Sequence, residues 1–229
     1  MTDTQTFLRH AAEVCNRIDA AAVERLVQEL KALIESHKRI VIFTGAGIST
    51  ESGIPDFRSP GGLWSKNQPI DFQDLLASEE TRRESWRRKI NMDDSFSNSR
   101  PNRGHRAVAE LHNQGKLQAV VTQNVDNLHE DSGIPPDMII ELHGNATYAA
   151  CLDCKKRFEL GPIFKDFKKN ESLPICDVCK GIIKTATISF GQAMPEEEMM
   201  RAQKATLKCD LFIVIGSSLV VFPAAGFPL

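Results

Sequence analysis

The chain contains 229 residues, with 28 lysines and arginines against 30 aspartates and glutamates, which gives a formal net charge of −2. This balance excludes a surface that is basic throughout, so we do not expect nucleic acid as a partner. The longest apolar stretch, LFIVIGSSLVVF, is too short and too interrupted to span a bilayer, and the N-terminus lacks the pattern of a signal peptide. We therefore expect a cytoplasmic protein that does not associate with membranes.

The first predicted elements are a helix over 19–36, where apolar residues recur at helical spacing, and a buried strand over 39–44. Asn102 and Gly115 are typical of the two ends of a second helix. The other predicted elements, in chain order, are strands over 117–122, 138–142, 185–190 and 211–215, a helix from Pro195 to about residue 207, and a helix near Pro223.

Apolar strands that alternate with helices indicate an α/β fold, here a Rossmann-like parallel sheet with helices on both faces. Two segments interrupt the alternation: 61–100 is polar and helical in pattern, and 147–184 is rich in cysteine and lysine. We predict that these two insertions form a smaller module. The Rossmann-like domain is then predicted to comprise residues 1–60, 101–146 and 185–229.

A glycine-containing turn, Gly45-Ala46-Gly47-Ile48-Ser49, follows the strand over 39–44. Glycines at this point let the backbone turn sharply and approach a phosphate, which backbone N–H groups can bind. Thr50 stands where the usual dinucleotide fingerprint has Gly or Ala. A tight strand–helix turn without a ligand is therefore the alternative interpretation of this motif.

Polar groups follow three other predicted strands, and ligands of open parallel sheets bind at such strand ends. Gln123, Asn124 and Asp126 suit a ribose or a carboxamide, although Asn124 and Asp126 are also typical helix caps. His143 can accept a proton near neutral pH, but a lone histidine is more often structural. A small-residue turn, Gly216-Ser217-Ser218, ends the last strand. We expect the remaining histidines of the predicted helices, His105, His112 and His129, to be structural or exposed.

Four cysteines have the spacing C-x2-C-x21-C-x2-C and comprise Cys151, Cys154, Cys176 and Cys179. Two thiolate pairs of this kind predict a tetrahedral zinc site, and four sulfur ligands leave no open position for catalysis. Iron or a redox-active pair is the alternative. The two other cysteines, Cys15 and Cys209, are expected to be buried.

The segment Ile188-Ser189-Phe190-Gly191-Gln192 has two interpretations. It is either an ordinary strand end or an edge to which an extended peptide adds as a further strand. The residues alone do not decide between the two.

In this order, the stretches GAGIST, GIPDFRS, TQNVDNLH, ELHG, the two C-x-x-C pairs, ISFG and GSSLVV resemble the sirtuin family of NAD-dependent protein deacylases. They cover most of residues 40–222, and the combination is highly specific. The resemblance implies that the glycine turn binds NAD and that Thr50 is normal within it. It also implies a structural zinc ion, distant from the chemistry.

The resemblance implies a role for each matching residue. Around NAD, it assigns the diphosphate to Gly45, Ala46 and Gly47, a mobile loop over the nicotinamide ribose to Phe57 and Arg58, the ribose hydroxyls to Gln123 and Asn124, the nicotinamide pocket to Ile48 and Asp126, and the adenosine side to Gly216 and Ser217. Ile188, Phe190 and Gly191 would hold an acyl-lysine peptide. His143 would be the general base, with Asn124 as the second catalytic residue.

The implied reaction transfers the acyl group of a protein lysine to ADP-ribose. The amide oxygen attacks the ribose carbon, nicotinamide leaves, His143 assists a ribose hydroxyl, and water releases the free lysine and O-acyl-ADP-ribose. Positioning and a dry pocket suit such a weak nucleophile. Three alternatives remain: mono-ADP-ribosyl transfer, an NAD-sensing module without turnover, and a zinc-ribbon module that binds nucleic acid through lysines at 155, 156, 165, 168 and 169.

The sequence departs from the family pattern in three respects. Gln192 replaces the Glu that commonly follows Phe-Gly in this motif. The Tyr-x-x-Arg pair of succinyl- and malonyl-preferring members is absent, since Tyr148 is followed by Cys151 and the similarly placed pair is Trp86 and Lys89. We therefore predict neutral acyl groups, acetyl or longer. The family also continues beyond the point matching Leu229, so we expect a fragment with weakened NAD binding and stability.

Overall fold

A computed structural model of the chain describes residues 20–66 and 68–228. It divides into two compact units, with the division between Lys38 and Arg39. The described part of the first unit is one amphipathic helix, α1 (Ala20–Ser36), which agrees with the predicted helix. Residue 19, at the predicted start of this helix, and Cys15 lie outside the described residues.

The second unit contains two sheets and the helices around them. Its strands are β1 (Ile40–Thr44), β2 (Leu117–Thr122), β3 (Ile139–Glu141), β4 (Gly144–Cys151), β5 (Arg157–Glu159), β6 (Ile183–Thr187) and β7 (Leu211–Ile215). Its α-helices are α2 (Leu63–Lys66), α3 (Phe72–Ala77), α4 (Glu79–Asn98), α5 (Arg103–Asn113), α6 (Leu128–Asp131), α7 (Leu160–Asn170) and α8 (Glu196–Lys208). Short 3-10 helices span Ala46–Ser52, Pro136–Met138 and Ala224–Gly226.

The larger sheet is parallel throughout and has the strand order β3-β2-β1-β7. Every residue of β1 is buried, as the apolar run over 39–44 predicts. Alternate residues of β1 and β2 point to opposite faces, where α8 packs on one side and α5 on the other. The predicted parallel sheet is therefore confirmed, and all four strands end at one edge.

Residues at the helix ends explain the bounds of α5 and favour the start of α8. The Asn102 side chain accepts hydrogen bonds from the backbone N–H groups of Gly104 and His105, and the backbone N–H of Asn102 donates to His105 Nδ1. Gly115, with φ of 66°, lies in the left-handed region just beyond α5. Three glutamates occupy the first turn of α8, where the helix dipole favours negative charge.

The smaller sheet is antiparallel and has the order β5-β4-β6. The predicted strand over 185–190 is wrong in its bounds and in its partner, because β6 covers 183–187 and pairs with β4 instead of joining the parallel sheet. The physical reason is that Ile-Lys-Thr-Ala-Thr contains three polar residues, whereas strands of a parallel sheet covered on both faces are apolar throughout. The predicted division into two domains stays a prediction.

Two further segments refine the sequence analysis. The insertion over 61–100 is helical, as expected, and consists of α2, α3 and α4. The helix predicted near Pro223 is only the 3-10 turn Ala224–Gly226, because Gly226 and Pro228 disfavour a longer helix. Within 20–66 and 68–228, no helix is long and apolar enough to cross a membrane.

Candidate functional site

Two glycine turns contact each other at the carboxyl edge of the parallel sheet. Gly45 N donates to Ile215 O at 3.0 Å, and Gly47 N donates to Gly216 O at 2.9 Å. A Cβ atom on Gly45 would lie 2.7 Å from Gly216 O, and one on Gly216 would lie 2.2 Å from Ile48 N. Gly216 also has φ of 66°. This close backbone approach explains why both turns need glycine.

The segment after the first turn is a 3-10 helix, Ala46–Ser52, instead of the α-helix that follows a usual dinucleotide fingerprint. Thr50 Oγ1 donates to Gly47 O at 3.0 Å, which stabilises the turn where the fingerprint would have a small residue. Ile48 is buried. Its side chain packs so close to Gly104 that a Cβ atom on Gly104 would lie 3.2 Å from it. Ala46 is half-buried beside these glycines.

The amides that follow β2 link it to both turns. Gln123 Nε2 donates to Ser217 Oγ at 2.8 Å. Asn124 Nδ2 is within 3.2 Å of both Gly45 O and Ser49 Oγ, and the Asn124 side chain is buried. The structure therefore brings together Gln123 and Asn124 with the two glycine turns, although they are far apart in the sequence.

Asp126 has a structural partner on each carboxylate oxygen. Ser49 Oγ donates to one oxygen at 2.6 Å, and Leu128 N donates to the other at 3.1 Å. The second bond is the helix-capping role that the sequence leaves open. The first joins Asp126 to the glycine turn through Ser49, which is almost fully buried and which sequence reasoning missed.

His143 follows β3 and contacts the backbone after β2. Its Nδ1 lies 3.1 Å from Gln123 O. Because a carbonyl oxygen only accepts, Nδ1 carries the hydrogen and Nε2 is left as the basic nitrogen. Burial lowers the pKa of His143, and the hydrogen bond to Gln123 partly opposes this shift. The imidazole is therefore neutral near pH 7, as a general base needs.

A second titratable group, Glu141, lies two residues before His143. Burial raises the pKa of its carboxyl to about 7, and a hydrogen bond from Asn145 Nδ2 at 2.8 Å opposes this shift. Glu141 also lines an open cavity of about 380 Å³ with Tyr148, Ile188 and Arg201. Sequence reasoning did not single out this carboxyl.

An aromatic cluster joins the loop over 53–62 to the ISFG segment. The Trp64 ring lies 5.4 Å from that of Phe57 and 5.5 Å from that of Phe190, measured between centroids. The Arg58 guanidinium stacks on Trp64, 4.2 Å above its ring centre. Asp56 accepts hydrogen bonds from the backbone of Arg58, which folds the loop tightly. Trp64 was not predicted as a site residue, and its only sequence signal is an aromatic two positions after Gly61-Gly62.

The ISFG segment leaves β6 and passes directly beside His143. Ile188 N donates to His143 O at 2.8 Å, and Phe72 N donates to Phe190 O at 2.8 Å. Gly191 has φ of 77°, and a Cβ there would lie 2.8 Å from Asp71 Oδ2. Gln192 Oε1 accepts a hydrogen bond from Ser189 N, so its amide closes the turn. The segment is therefore a fixed turn, with the Phe190 side chain half exposed.

The four predicted cysteine ligands form one cluster at the end of the small sheet, and all four Sγ atoms lie within 4.8 Å of one another. Each pair lies on a similar turn: the N–H groups of Lys155 and Lys180 donate to Cys151 O and Cys176 O at 3.1 and 3.0 Å. Zinc–sulfur bonds of about 2.3 Å in a tetrahedron require sulfur separations of about 3.8 Å. The donor set and its spacing therefore fit one zinc ion.

The comparisons with known proteins agree with this arrangement. The family model described as the Sir2 family matches residues 45–223. The chain belongs to the Sir2 family. It is 55% identical over 213 residues to "NAD-dependent protein deacetylase 1" of Bradyrhizobium diazoefficiens, a match that covers 93% of this chain and 84% of the relative.

Another relative, "NAD-dependent protein deacetylase" of Rhodopseudomonas palustris, is 55% identical over 89% of this chain and 80% of its own length. Among solved structures, a complex described as "Sir2-p53 peptide-NAD+" has 35% identity and a TM-score of 0.76, and it covers 87% of this chain and 79% of the solved chain. A structure described as "Sir2Tm bound to a propionylated peptide" has 34% identity and a TM-score of 0.76, with 88% of this chain and 79% of that chain covered.

Trp86 and Lys89, which have the spacing of the Tyr-x-x-Arg pair, both lie on α4 of this Sir2-family chain. Trp86 is 3% exposed and belongs to the core of the small sheet, with Cys151, Phe167 and Ile183. Lys89 Nζ bonds to Asp93 at 2.8 Å, so its charge is already paired. Trp86 is therefore part of the small-sheet core, and the charge of Lys89 is paired within α4.

Proposed function

We propose that the chain catalyses NAD-dependent removal of acyl groups from protein lysines, with acetyl as the expected group. The products are nicotinamide, O-acyl-ADP-ribose and the free lysine. The observation that carries the proposal is the convergence of Gly45, Asn124 and His143 at one sheet edge, where Asn124 Nδ2 donates to Gly45 O and His143 Nδ1 donates to Gln123 O. Membership of the Sir2 family supports it, since relatives bear the name NAD-dependent protein deacetylase.

In this proposal, NAD lies along the carboxyl edge of the parallel sheet. The glycine turns would approach its diphosphate, because neither Gly45 nor Gly216 has a side chain to block the backbone. The adenosine side would contact Ser217. Ile48 and Asp126 would border the nicotinamide, and Phe57 and Arg58 would cover the ribose. The contacts among these groups in the free chain support the assignment, since each is already held in place.

The chemistry needs a positioned acyl oxygen and a base. The bond between ribose and nicotinamide breaks as the acyl oxygen bonds to the ribose carbon, and water later releases the lysine. Asn124 would orient the ribose. His143 would take a proton from a ribose hydroxyl at Nε2, the nitrogen left free by its bond to Gln123 O. The neutral imidazole favoured by burial supports this role.

An acyl-lysine peptide is the proposed protein substrate. It would add as an extended strand beside the segment of Ile188, Phe190 and Gly191, which the hydrogen bond from Ile188 N to His143 O keeps next to the base. The relatives' solved complexes with peptides support this class of partner. Gln192 holds this segment in its turn through the hydrogen bond from Ser189 N.

One structural zinc ion, held by Cys151, Cys154, Cys176 and Cys179, completes the proposal. Bound zinc would cross-link the two cysteine turns and supply no step of the reaction, since four thiolates fill its coordination sphere. We also propose a cytoplasmic location, because a four-thiolate site needs cysteines that stay reduced. The smaller module predicted from 61–100 and 147–184 would be organised around this ion.

The decisive experiment measures nicotinamide release from NAD with an acetyl-lysine peptide, together with the mass of the second product. We expect release that requires the peptide and yields O-acetyl-ADP-ribose. His143→Ala should lower kcat by about 10²- to 10⁴-fold, the usual contribution of a general base. His112→Ala, on the outer part of α5, is the matched control and should retain activity.

Each other outcome points to a different function. ADP-ribosylated protein as the product would replace deacylation by mono-ADP-ribosyl transfer. NAD binding without nicotinamide release would indicate a sensing module. Equal activity of His143→Ala and the unaltered protein would remove His143 from the role of base.

A further inference from the structure

Two imidazoles are buried beneath the strand ends that carry the site. His105, on α5, is fully buried, and His129, on α6, is 3% exposed. Their ring centroids are 5.1 Å apart and the rings are inclined by 61°. Among the described residues, His105 Nε2 and His129 Nδ1 find no hydrogen-bond partner. Buried polar atoms without a protein partner usually bond to an internal water.

The bonded nitrogens of both rings determine where the hydrogens are. Asn102 N donates to His105 Nδ1 at 3.3 Å, so a neutral His105 carries its hydrogen on Nε2. Burial lowers the pKa of both histidines, in His129 to about 3, with His105 adding to that shift. Both rings are therefore neutral at physiological pH.

The hydroxyl of Thr44 determines the state of the second ring. Thr44 Oγ1 donates its one hydrogen to Thr122 Oγ1 at 2.8 Å, and it lies 2.9 Å from His129 Nε2. With Thr44 as the donor to Thr122, His129 Nε2 is the donor to Thr44, which leaves Nδ1 as a bare acceptor. The two unpartnered atoms are thus complementary: one ring offers a hydrogen and the other offers a lone pair.

We propose that one internal water binds between His105 Nε2 and His129 Nδ1 and completes a hydrogen-bonded chain that positions Asn124. The water accepts from the first ring and donates to the second. Beyond His129, the chain continues through Thr44 to Thr122 Oγ1, which accepts the backbone N–H of Asn124 at 3.0 Å. No proton is transferred, so the water is structural and both histidines are positioning residues.

The ends of this chain explain why its integrity matters to the site. Thr44 directly precedes Gly45, and Thr122 directly precedes Gln123. At the other end, Asn102 Nδ2 donates to Ile48 O at 2.6 Å. The water therefore links the helix that holds Ile48 to the strand ends that hold Gly45 and Asn124. This consequence for catalysis rests on the proposed function, whereas the water and the tautomers do not.

The first test observes the two rings directly in the unaltered protein. Histidine labelled with ¹⁵N should show His105 and His129 as neutral rings with hydrogen on Nε2, at pH 6 to 8. Spectra of His105→Asn and His129→Gln assign the signals. A high-resolution crystal structure should show one ordered water about 2.7–3.2 Å from both nitrogens. Hydrogen on His129 Nδ1, or no water at this position, would overturn the proposal.

The second test uses variants that remove only the atoms facing the water. His105→Asn keeps an acceptor near the Nδ1 position, and His129→Gln keeps a donor near the Nε2 position. Each should lower kcat about tenfold, the effect of one lost buried hydrogen bond, with a smaller change in KM for NAD. Their double variant should lose little more, because both break the same chain.

His112→Asn, on the same helix as His105, is the control and should match the unaltered protein. Losses that multiply to about a hundredfold in the double variant would show two independent histidines and contradict the shared water. If the unaltered protein releases no nicotinamide, the proposed function fails, and the spectra and the crystal structure still decide the water. The same two measurements decide it if a variant fails to fold.

Discussion

The carboxyl edge of the parallel sheet and the cysteine end of the small sheet organise polar groups in different ways. At the sheet edge, Gly45, Asn124, His143 and Gly216 come from four separate strand ends and meet through backbone contacts and neutral hydrogen bonds. At the cysteine end, two turns of matching geometry each contribute two thiols. The first region depends on the whole sheet, and the second on two local turns whose four thiols have the spacing that fits one zinc ion.

This difference predicts different weaknesses. A metal site gains most of its stability from ligands that one ion binds at once, so loss of one ligand affects all of them. The sheet edge has no such single link, and each glycine or hydrogen bond contributes about 1–3 kcal/mol of its own. A single substitution of a cysteine ligand should therefore remove most of the stability of the small sheet. A single substitution at the sheet edge should lower the free energy of unfolding only in part.

Removing one thiol should have the largest effect. Cys154→Ser should reduce bound zinc from one ion per chain to almost none and unfold the turns beside β4 and β6, because structural zinc contributes roughly 10 kcal/mol of binding free energy. Metal content by mass spectrometry and hydrogen exchange measure the two effects. Cys209→Ser, at the end of α8, is the control and should keep its zinc. Full metal content in Cys154→Ser would refute the site.

Adding one methyl group at the glycine turns should have the next largest effect. Gly216→Ala should lower the free energy of unfolding by about 3 kcal/mol, because its Cβ would lie 2.2 Å from Ile48 N and its φ is 66°. Gly53→Ala shares a positive φ of 87° but meets nothing within 4 Å, so it should cost only about 1 kcal/mol. Urea denaturation measures both values.

Calorimetric titration with NAD sharpens this prediction. Gly216→Ala should weaken binding by at least tenfold, whereas Gly53→Ala should leave it nearly unchanged. Equal losses in the two variants would mean that positive φ alone explains the glycines. The close approach of the two turns would then not contribute to NAD binding.

The sequence was most informative where structure is local or strongly apolar. The strands β2 and β7 have their predicted bounds, and the cysteine spacing predicts the cluster, because two thiols three positions apart on a turn face the same point. The parallel sheet follows from apolar strands that alternate with helices. Because the carboxyl ends of parallel strands meet at one edge of the sheet, the sheet also predicts that Asn124 and His143 lie at the same edge.

The sequence was least informative where partners are distant and polar. Nothing local marks Ser49 as the link between Asn124 and Asp126, or Thr44 as the partner of His129. The pairing of β6 with β4 also depends on tertiary contacts, since its residues fit either sheet by propensity alone. Trp64 belongs to the aromatic cluster only because the loop before it folds back.

A pH-dependent difference should distinguish the buried carboxyl near His143 from exposed ones. The folded-state pKa of Glu141 is raised from 4.5 to about 7, so folding favours its protonated form. That contribution is full below pH 4.5 and is lost as the pH rises through 7. As the pH rises from 5 to 8, the free energy of unfolding of Glu141→Gln should therefore increase relative to that of the unaltered protein by about 2 kcal/mol.

Thermal unfolding across this pH range measures the effect, with Glu197→Gln as the control on the exposed side of α8. The control should follow the unaltered protein at every pH. A constant difference between Glu141→Gln and the unaltered protein would mean that the carboxyl does not titrate in this range. The polar environment of β3 would then resemble the open surface more than the edge of a core.

The smallest expected effect is on acyl preference. We expect a higher kcat/KM for acetyl- than for succinyl-lysine peptides, and Lys89→Met should leave this ratio within about twofold of its original value. The reason is that Lys89 is paired with Asp93 and Trp86 is buried in the small-sheet core, so neither offers a free charge to a succinyl group. Arg157→Met, which removes a cation from β5, is the control for a general change in charge. A ratio that favours succinyl, or one that shifts only in Lys89→Met, would mean that the small sheet reaches the acyl group and that the two regions act as one site.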